Sequence, residues 1–254
     1  MSESSIPQAD RADKMLVALG HFGSRAAAQA AISAGLVLVD GKPVAKPSEM
    51  ISRDAEIQSE AAHPYVSRGG LKLARALSVF AVDPAGLDCL DLGASTGGFT
   101  DVLLRAGAAR VTCVDVGHGQ LHARIAGDDR VTSYERLNAR DLKLEQLAAP
   151  PQLIVCDLSF VSLAKVLDVP LALAAPDARL IALFKPQFEV GPENVGKGGL
   201  VTDMLATDAA LGAFLNYLIA AGWRVQAPQP SPIPGGDGNK EWLVCAEREP
   251  LPGQ

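Results

Sequence analysis

The sequence predicts an α/β protein in which a large, mostly parallel sheet is covered by helices and preceded by a small α+β domain. Three observations predict it. Seven strand-like runs, 87–92, 110–115, 131–134, 153–157, 179–184, 224–227 and 242–246, are mostly separated by helix-compatible stretches at 99–106, 121–125, 163–175 and 204–221. Strands that alternate with helices fold as parallel sheets with both faces covered. An apolar run ending in Asp91 passes through a glycine-rich turn, Gly93 to Gly98, into the helix-compatible FTDVLLRA of 99–106, and such strand-turn-helix units carry small-molecule sites. Before residue 60 the pattern changes to two short helices followed by strands.

In chain order, the polar residues 1–10 are expected to be disordered. Within 11–59, Ala12–Leu19 is helix-compatible, Ser24 can cap a helix over 25–34, and Gly35 would end it. Leu36–Val39 and Lys42–Val44 flank Asp40-Gly41, a two-residue hairpin signal. Residues 60–66 read as a linker, where Pro64 biases His63 away from helix, and 67–254 as the second domain. Ser67-Arg68-Gly69-Gly70 reads as a turn able to hold a phosphate, ahead of a helix over 72–80.

Composition narrows the class. The 254 residues are 48% hydrophobic, enough for a large core, yet apolar stretches such as 167–175 are too short or interrupted to span a bilayer. The polar start lacks a basic-then-apolar signal, so no membrane association and a cytoplasmic location are expected. Cys89, Cys113, Cys156 and Cys245 sit in separate strand-like runs with no C-x-x-C or Cys/His pairing, so neither a metal site nor a disulfide framework is indicated. A net charge of −6 does not advertise a nucleic-acid binder, although Arg68, Lys72 and Arg75 form a local basic cluster that can bind phosphate.

Three ligand classes compete for the glycine turn. A dinucleotide fingerprint needs G-x-G-x-x-G, and the spacing here misses it. A phosphate-binding loop fits from Gly93 to Thr100 except that Phe99 stands where the lysine must be, and an apolar ring cannot neutralise a triphosphate. The remaining pattern, D-x-G-x-x-x-G-G, resembles the first motif of S-adenosyl-L-methionine-dependent methyltransferases and implies a Rossmann-like, seven-stranded domain. The resemblance makes Asp91, Gly93, Gly97, Gly98, Phe99 and, further on, Asp157 cofactor-binding residues, with the glycine loop passing the methionine part of that cofactor. It makes Asp115, at the end of the second strand, the acceptor for ribose hydroxyls, and it implies that Asp141, after the third strand, meets the adenine amino group.

Residues 11–59 carry R-A-D-K-x-L-V, then SRAAAQAAISAGLVLVDGK and K-P-S, and resemble the RNA-binding module named after ribosomal protein S4. Arg25, Lys42 and Lys46 then become RNA contacts, joined by Arg68 at the head of the second domain.

Asp157 ends LIVCD but lacks the prolines of the N/D-P-P-Y/F motif that serves amino-group methylation. No cysteine is placed as the nucleophile that methylation of a pyrimidine carbon needs. Lys72, Asp157, Lys185 and Glu241 occur in the order of the tetrad of FtsJ-type RNA ribose 2′-O-methyltransferases, and residues 11–247 resemble the TlyA or haemolysin-A-like family. That resemblance implies cytidine 2′-O-methylation of ribosomal RNA, free or in ribosomal subunits, without a metal.

The residue types suit the chemistry. A ribose hydroxyl must lose its proton as it attacks, so a base and precise alignment are needed. A second ammonium, a cationic cofactor and partial burial would favour the neutral form of Lys185, the expected base. Lys72 would steady the developing negative charge, while Asp157 and Glu241 orient the two lysines. Lys197, in the glycine-rich loop 191–203, is expected to contact RNA phosphate or act as a lid. Two rivals remain at this point: a non-catalytic ribosome-assembly factor, and a membrane-active cytolysin suggested by the haemolysin name.

Overall fold

The computed structural model describes residues 7–60 and 62–249, and these divide at Arg68 into two compact units. In the first unit the elements are β1 (Ala9–Arg11), α1 (Ala12–Ala18), α2 (Arg25–Ser33), β2 (Val37–Val39), β3 (Lys42–Pro43), β4 (Met50–Ser52) and β5 (Ile57–Ser59). β1 pairs antiparallel with β4, and β2 is the centre of a three-stranded sheet between β3 and β5. The hairpin is the expected one: Asp40 and Gly41 both have positive φ, at 50° and 76°, which matches the twist of the flanking strands. Ser24 caps α2 by accepting the Ala27 N–H at 3.2 Å.

One expectation is corrected here. Ala9 and Asp10, expected in a disordered end, lie in β1, because β4 supplies an edge to pair with that a three-residue run cannot announce for itself. Residues 1–6 of that end lie outside the described residues.

Arg25, read as an RNA contact, also has a place in the fold. Its guanidinium donates to Asp13 Oδ2 at 2.8 Å. Arg11 Nε and Gln29 Nε2 reach the same carboxylate at 3.0 and 2.6 Å, and the Asp13 side chain is 0% exposed, between α1 and α2. A buried carboxylate survives only when its lone pairs are satisfied, so Asp13 engages one side of the Arg25 guanidinium, while the Arg25 side chain stays 53% exposed.

The second unit comprises α3 (Gly69–Val79), β6 (Asp88–Leu92), α4 (Gly98–Arg105), β7 (Arg110–Asp115), α5 (Ala123–Ala126), β8 (Val131–Glu135), β9 (Leu153–Cys156), α6 (Asp168–Ala172), β10 (Arg179–Phe184), α7 (Met204–Ala220), β11 (Trp223–Val225), β12 (Gln229–Pro230) and β13 (Trp242–Arg248). The sheet order is β11-β13-β10-β9-β6-β7-β8, with the short β12 added on β13. β8, β7, β6, β9 and β10 run parallel, and β13 is antiparallel to β10. Every residue of the central β9 is buried, as expected of a strand covered on both faces.

Two helices differ from the sequence reading. α3 starts at Gly69, so the expected Arg68-Gly69-Gly70 turn is largely the first turn of that helix. The run 163–175 breaks into a short turn, Leu163–Lys165, and α6, where Pro170 has no N–H for helical bonding and is tolerated only within the first turn.

The register gathers the ends of four strands at one edge. Leu92 and Ala182 both lie beside Cys156, on either side of β9, while Phe184 faces Trp242 across the antiparallel pair. β10 runs two residues further than β9, and the residue that follows each of β6, β9 and β10, with the residue before β13, lies at this edge: Gly93, Asp157, Lys185 and Glu241.

Hydrogen bonds from Arg11, then Arg25 and Gln29, hold the Asp13 carboxyl far below the usual carboxylate range against the opposing effect of burial. A depressed folded value means that this contribution is complete above the ordinary carboxylate pKa and is lost as pH falls below it. Asp13→Ala should destabilise the first unit by roughly 1–3 kcal/mol at neutral pH, less than for a fully buried pair because Arg11 and Arg25 can re-solvate. Faster hydrogen exchange confined to α1 and α2 checks it.

Candidate active site

Gly93 follows β6 with φ at 79°, donates its N–H to Val114 O at 2.8 Å, and lies so close to β9 that an added Cβ would be 2.7 Å from Asp157 O. Only glycine lets these two strand ends approach. The strand order reverses at this point, since β7 lies on one side of β6 and β9 on the other, and such reversals open a crevice at the carboxyl edge of the sheet. A cleft of about 510 Å³ occupies it, lined by Gly93, Ser95, Asp115, Val116, Asn138, Ala139, Asp157, Ser159 and Phe160 among others.

Asp115 ties the cleft together. Its carboxylate accepts the Ser95 N–H at 2.7 Å and the Gly117 N–H at 2.7 Å. Each oxygen keeps a lone pair for a ligand donor.

Of the residues expected to hold the cofactor, Gly93, Asp115 and Asp157 line the cleft. Asp91, Gly97, Gly98 and Phe99 are buried behind it and shape the turn. Gly97 makes room for Leu121 and Ile125 side chains, which an added Cβ would meet at 2.9 and 3.1 Å. Asp141 is exposed and outside the lining, while its neighbours Asn138, Ala139 and Arg140 line it. Asp91 Oδ2 accepts the Thr100 hydroxyl at 2.6 Å, and Oδ1 is buried with no hydrogen-bond partner.

The catalytic candidates form two buried ion pairs. Lys72, in the first turn of α3, pairs with Glu241, and their side chains are 7% and 2% exposed. Lys185, just past β10, lies 2.6 Å from Asp157 Oδ1 and donates to Ser159 Oγ at 2.9 Å. Burial pushes the Glu241 carboxyl upward while the Lys72 hydrogen bond opposes it, and the charges of Lys185 and Asp157 also act on Glu241, so the two pairs form one electrostatic cluster. Asp157 belongs to both this cluster and the cleft.

Lys42, Lys46 and Arg68 are exposed on the first unit, and Lys197 is exposed on the second. All four cysteines are buried, and burial pushes the Cys113 thiol up to about 12. Among the described residues no helix is long and apolar enough to cross a membrane, and no cluster of His, Cys, Asp and Glu is arranged to hold a metal ion. Sequence reasoning missed Ser95, Asn138 and Ser159, polar residues two or three positions from motif residues whose identity no motif specifies.

Residues 65–248 match the family described as FtsJ-like methyltransferase. The chain belongs to that family. Residues 10–57 match the S4 domain. The chain is 43% identical over 236 residues to the 16S/23S rRNA (cytidine-2′-O)-methyltransferase TlyA of Mycobacterium tuberculosis, covering 92% of this chain and 88% of that protein. Hemolysin A of Brachyspira hyodysenteriae is 37% identical over 92% of this chain and 98% of its own. A solved Streptococcus thermophilus structure that carries a hemolysin name aligns with a TM-score of 0.76 and 36% identity, over 95% of this chain and 89% of that one. As an FtsJ-like methyltransferase the chain has a methyl donor to accommodate. The cleft fits S-adenosyl-L-methionine: Asp115 can accept from a ribose, Val116 and Ala139 can flank a purine, and the unpartnered Asp91 Oδ1 behind the glycine turn favours positive charge nearby.

Burial, then the charges of Asp157 and Asp115, push the Asp91 carboxyl up to about 7 against the Thr100 hydrogen bond. With a raised folded value, the unfolded chain releases its proton first, so this group lowers stability as pH rises from about 4 to about 7. The full loss is roughly 4 kcal/mol. Asp91→Asn should remove that loss, so urea melts of the two proteins should diverge across this window in favour of the variant.

Proposed function

We propose that this chain transfers the methyl group of S-adenosyl-L-methionine to a ribose 2′-hydroxyl of cytidine in ribosomal RNA. The observation that carries the reading is that the cleft at the strand reversal meets the paired lysines at Asp157. The nucleoside and the RNA follow the Mycobacterium relative's name. A match to the S4 domain and the exposed Lys42 and Lys46 support RNA as the partner, and a ribosomal substrate implies a cytoplasmic site of action.

When bound, the methyl donor supplies an electrophilic carbon whose bond to sulfur breaks as the ribose oxygen forms its own. Lys185 is the base that takes the hydroxyl proton. Lys72 offers an ammonium to the developing oxyanion, and Glu241 holds that ammonium in place. Asp157 holds Lys185 at the rim of the cleft. Exposed Arg68 and Lys197 are assigned to RNA phosphate.

Transfer of labelled methyl groups to ribosomal subunits and to free ribosomal RNA, mapped by resistance of the modified ribose to alkaline cleavage, tests the reading. Lys185→Ala should slow transfer by roughly 10²-fold or more while leaving donor affinity nearly unchanged. Donor and RNA binding by the unaltered protein without any transfer would indicate the assembly-factor role.

Lys72→Ala should also slow transfer, and in addition should destabilise the second unit by roughly 3 kcal/mol, because Glu241 would be left buried and unpaired. Asp157 is more exposed, so Lys185→Ala should shift the melting temperature much less.

A further inference from the structure

The two contacts of Lys185 are of different kinds. Asp157 Oδ1 lies 2.6 Å from Nζ, yet that oxygen accepts no hydrogen bond of usable angle. The pair is held by charge, which fixes distance better than direction. Ser159 Oγ accepts from Nζ at 2.9 Å and supplies the directional contact.

We propose that Ser159 is the positioning residue for Lys185, taking one Nζ–H so that the lone pair of the neutral amine faces the substrate hydroxyl. The inference rests on the reading of Lys185 as the base. A neutral amine has two N–H groups and one lone pair in a tetrahedral arrangement. Once Lys185 is neutral, Ser159 fixes one N–H and the negative charge of Asp157 keeps the lone pair turned away from it, so the lone pair is left for the remaining direction. Without Ser159, rotation about the terminal C–N bond points the lone pair away in most orientations. In the transfer, the hydroxyl oxygen bonds to the methyl carbon, the C–S electron pair returns to sulfur, and the hydroxyl proton moves to Nζ. Ser159 neither receives nor releases a proton.

The surrounding chain holds Ser159 in place. Phe160 adopts a left-handed backbone, φ 66°, which turns the segment after β9 back across the sheet edge. Its ring, 90% exposed on the solvent side, meets Phe188 with centroids 5.2 Å apart. Glu189 accepts the Leu163 N–H at 2.8 Å. The segment carrying Ser159 is therefore tied to the segment carrying Lys185 by two contacts beyond their own, and by the pairing of Cys156 with Ala182 before it. Ser159 also lines the cleft, so its hydroxyl lies where donor and base must meet.

Ser159→Ala and Ser159→Thr in the full chain test this, with single-turnover transfer at saturating donor and ribosomal subunits, donor affinity by calorimetry, subunit affinity and melting temperature. Ser159→Ala should slow the saturating rate by about ten- to thirty-fold, the scale of a misaligned reacting group. Donor and subunit affinities should stay within about twofold of the unaltered protein, and Ser159→Thr, which keeps the hydroxyl, should recover the rate to within about threefold. Wild-type rates in Ser159→Ala, equal losses in Ala and Thr, or a loss confined to binding would each overturn the proposal. Lys185→Ala separates the two readings: if it abolishes transfer while Ser159→Ala does not, only the role of Ser159 fails, whereas full transfer by Lys185→Ala overturns both.

Discussion

Two lysines are buried at the carboxyl edge of this sheet, and each brings a carboxylate with it. An isolated ammonium in such surroundings would cost several kcal/mol, so Lys72 requires Glu241 and Lys185 requires Asp157. The four residues come from α3 and from the ends of β9, β10 and β13, elements spread across nearly 170 residues of sequence. Packing the two pairs therefore fixes the relative positions of one helix and three strands. The fold and the chemistry rest on the same compensation of charge.

The direction of one strand makes this possible. Every parallel strand ends at the carboxyl edge, so only an antiparallel strand can begin there. β13 is that strand, and pairing Trp242 with Phe184 sets Glu241 against the end of β10 without any turn to carry it there. Had β13 run parallel, Glu241 would lie at the opposite edge and Lys72 would be unpaired. On the other side of β9, the bare Cα of Gly93 lets β6 close on Asp157 O, which brings the cleft up to the charged cluster.

Most of this was legible in the sequence for physical reasons that can be named. β7 and β10 fall on the apolar runs 110–115 and 179–184 because a strand covered on both faces must be apolar throughout. The Asp40-Gly41 hairpin and the Ser24 cap are local chemistry and need no tertiary information. Strand order, in contrast, has no local signature, and only the resemblance to a known tetrad brought Lys72, Asp157, Lys185 and Glu241 together. Arg25 shows the opposite limit. A basic residue on an exposed helix reads as available, and nothing near it in sequence reveals that Asp13, one helix earlier, is buried and in need of it. Gly97 and Phe99 fit their motif, but their side of the turn packs against protein, because a glycine loop has two faces and a pattern does not say which one meets the ligand.

Asn239 links the cluster to the loop that carries Lys197. It is almost fully buried, two residues before Glu241. Its side chain donates to Gly199 O at 2.8 Å and accepts the Val201 N–H at 2.8 Å. Asp237, within the same turn, accepts from Gln187 at 2.9 Å, two residues beyond Lys185. One end of the glycine-rich loop is thus fastened to the segments that hold both Glu241 and Lys185, while Lys197 stays exposed. Any rearrangement of the loop on meeting RNA must pivot about this anchor. Displacement at the Lys197 end can then proceed without dragging Glu241 away from Lys72, because the amide of Asn239 satisfies the loop backbone at a fixed point. An exposed loop and a buried charge cluster share one short stretch of chain on those terms.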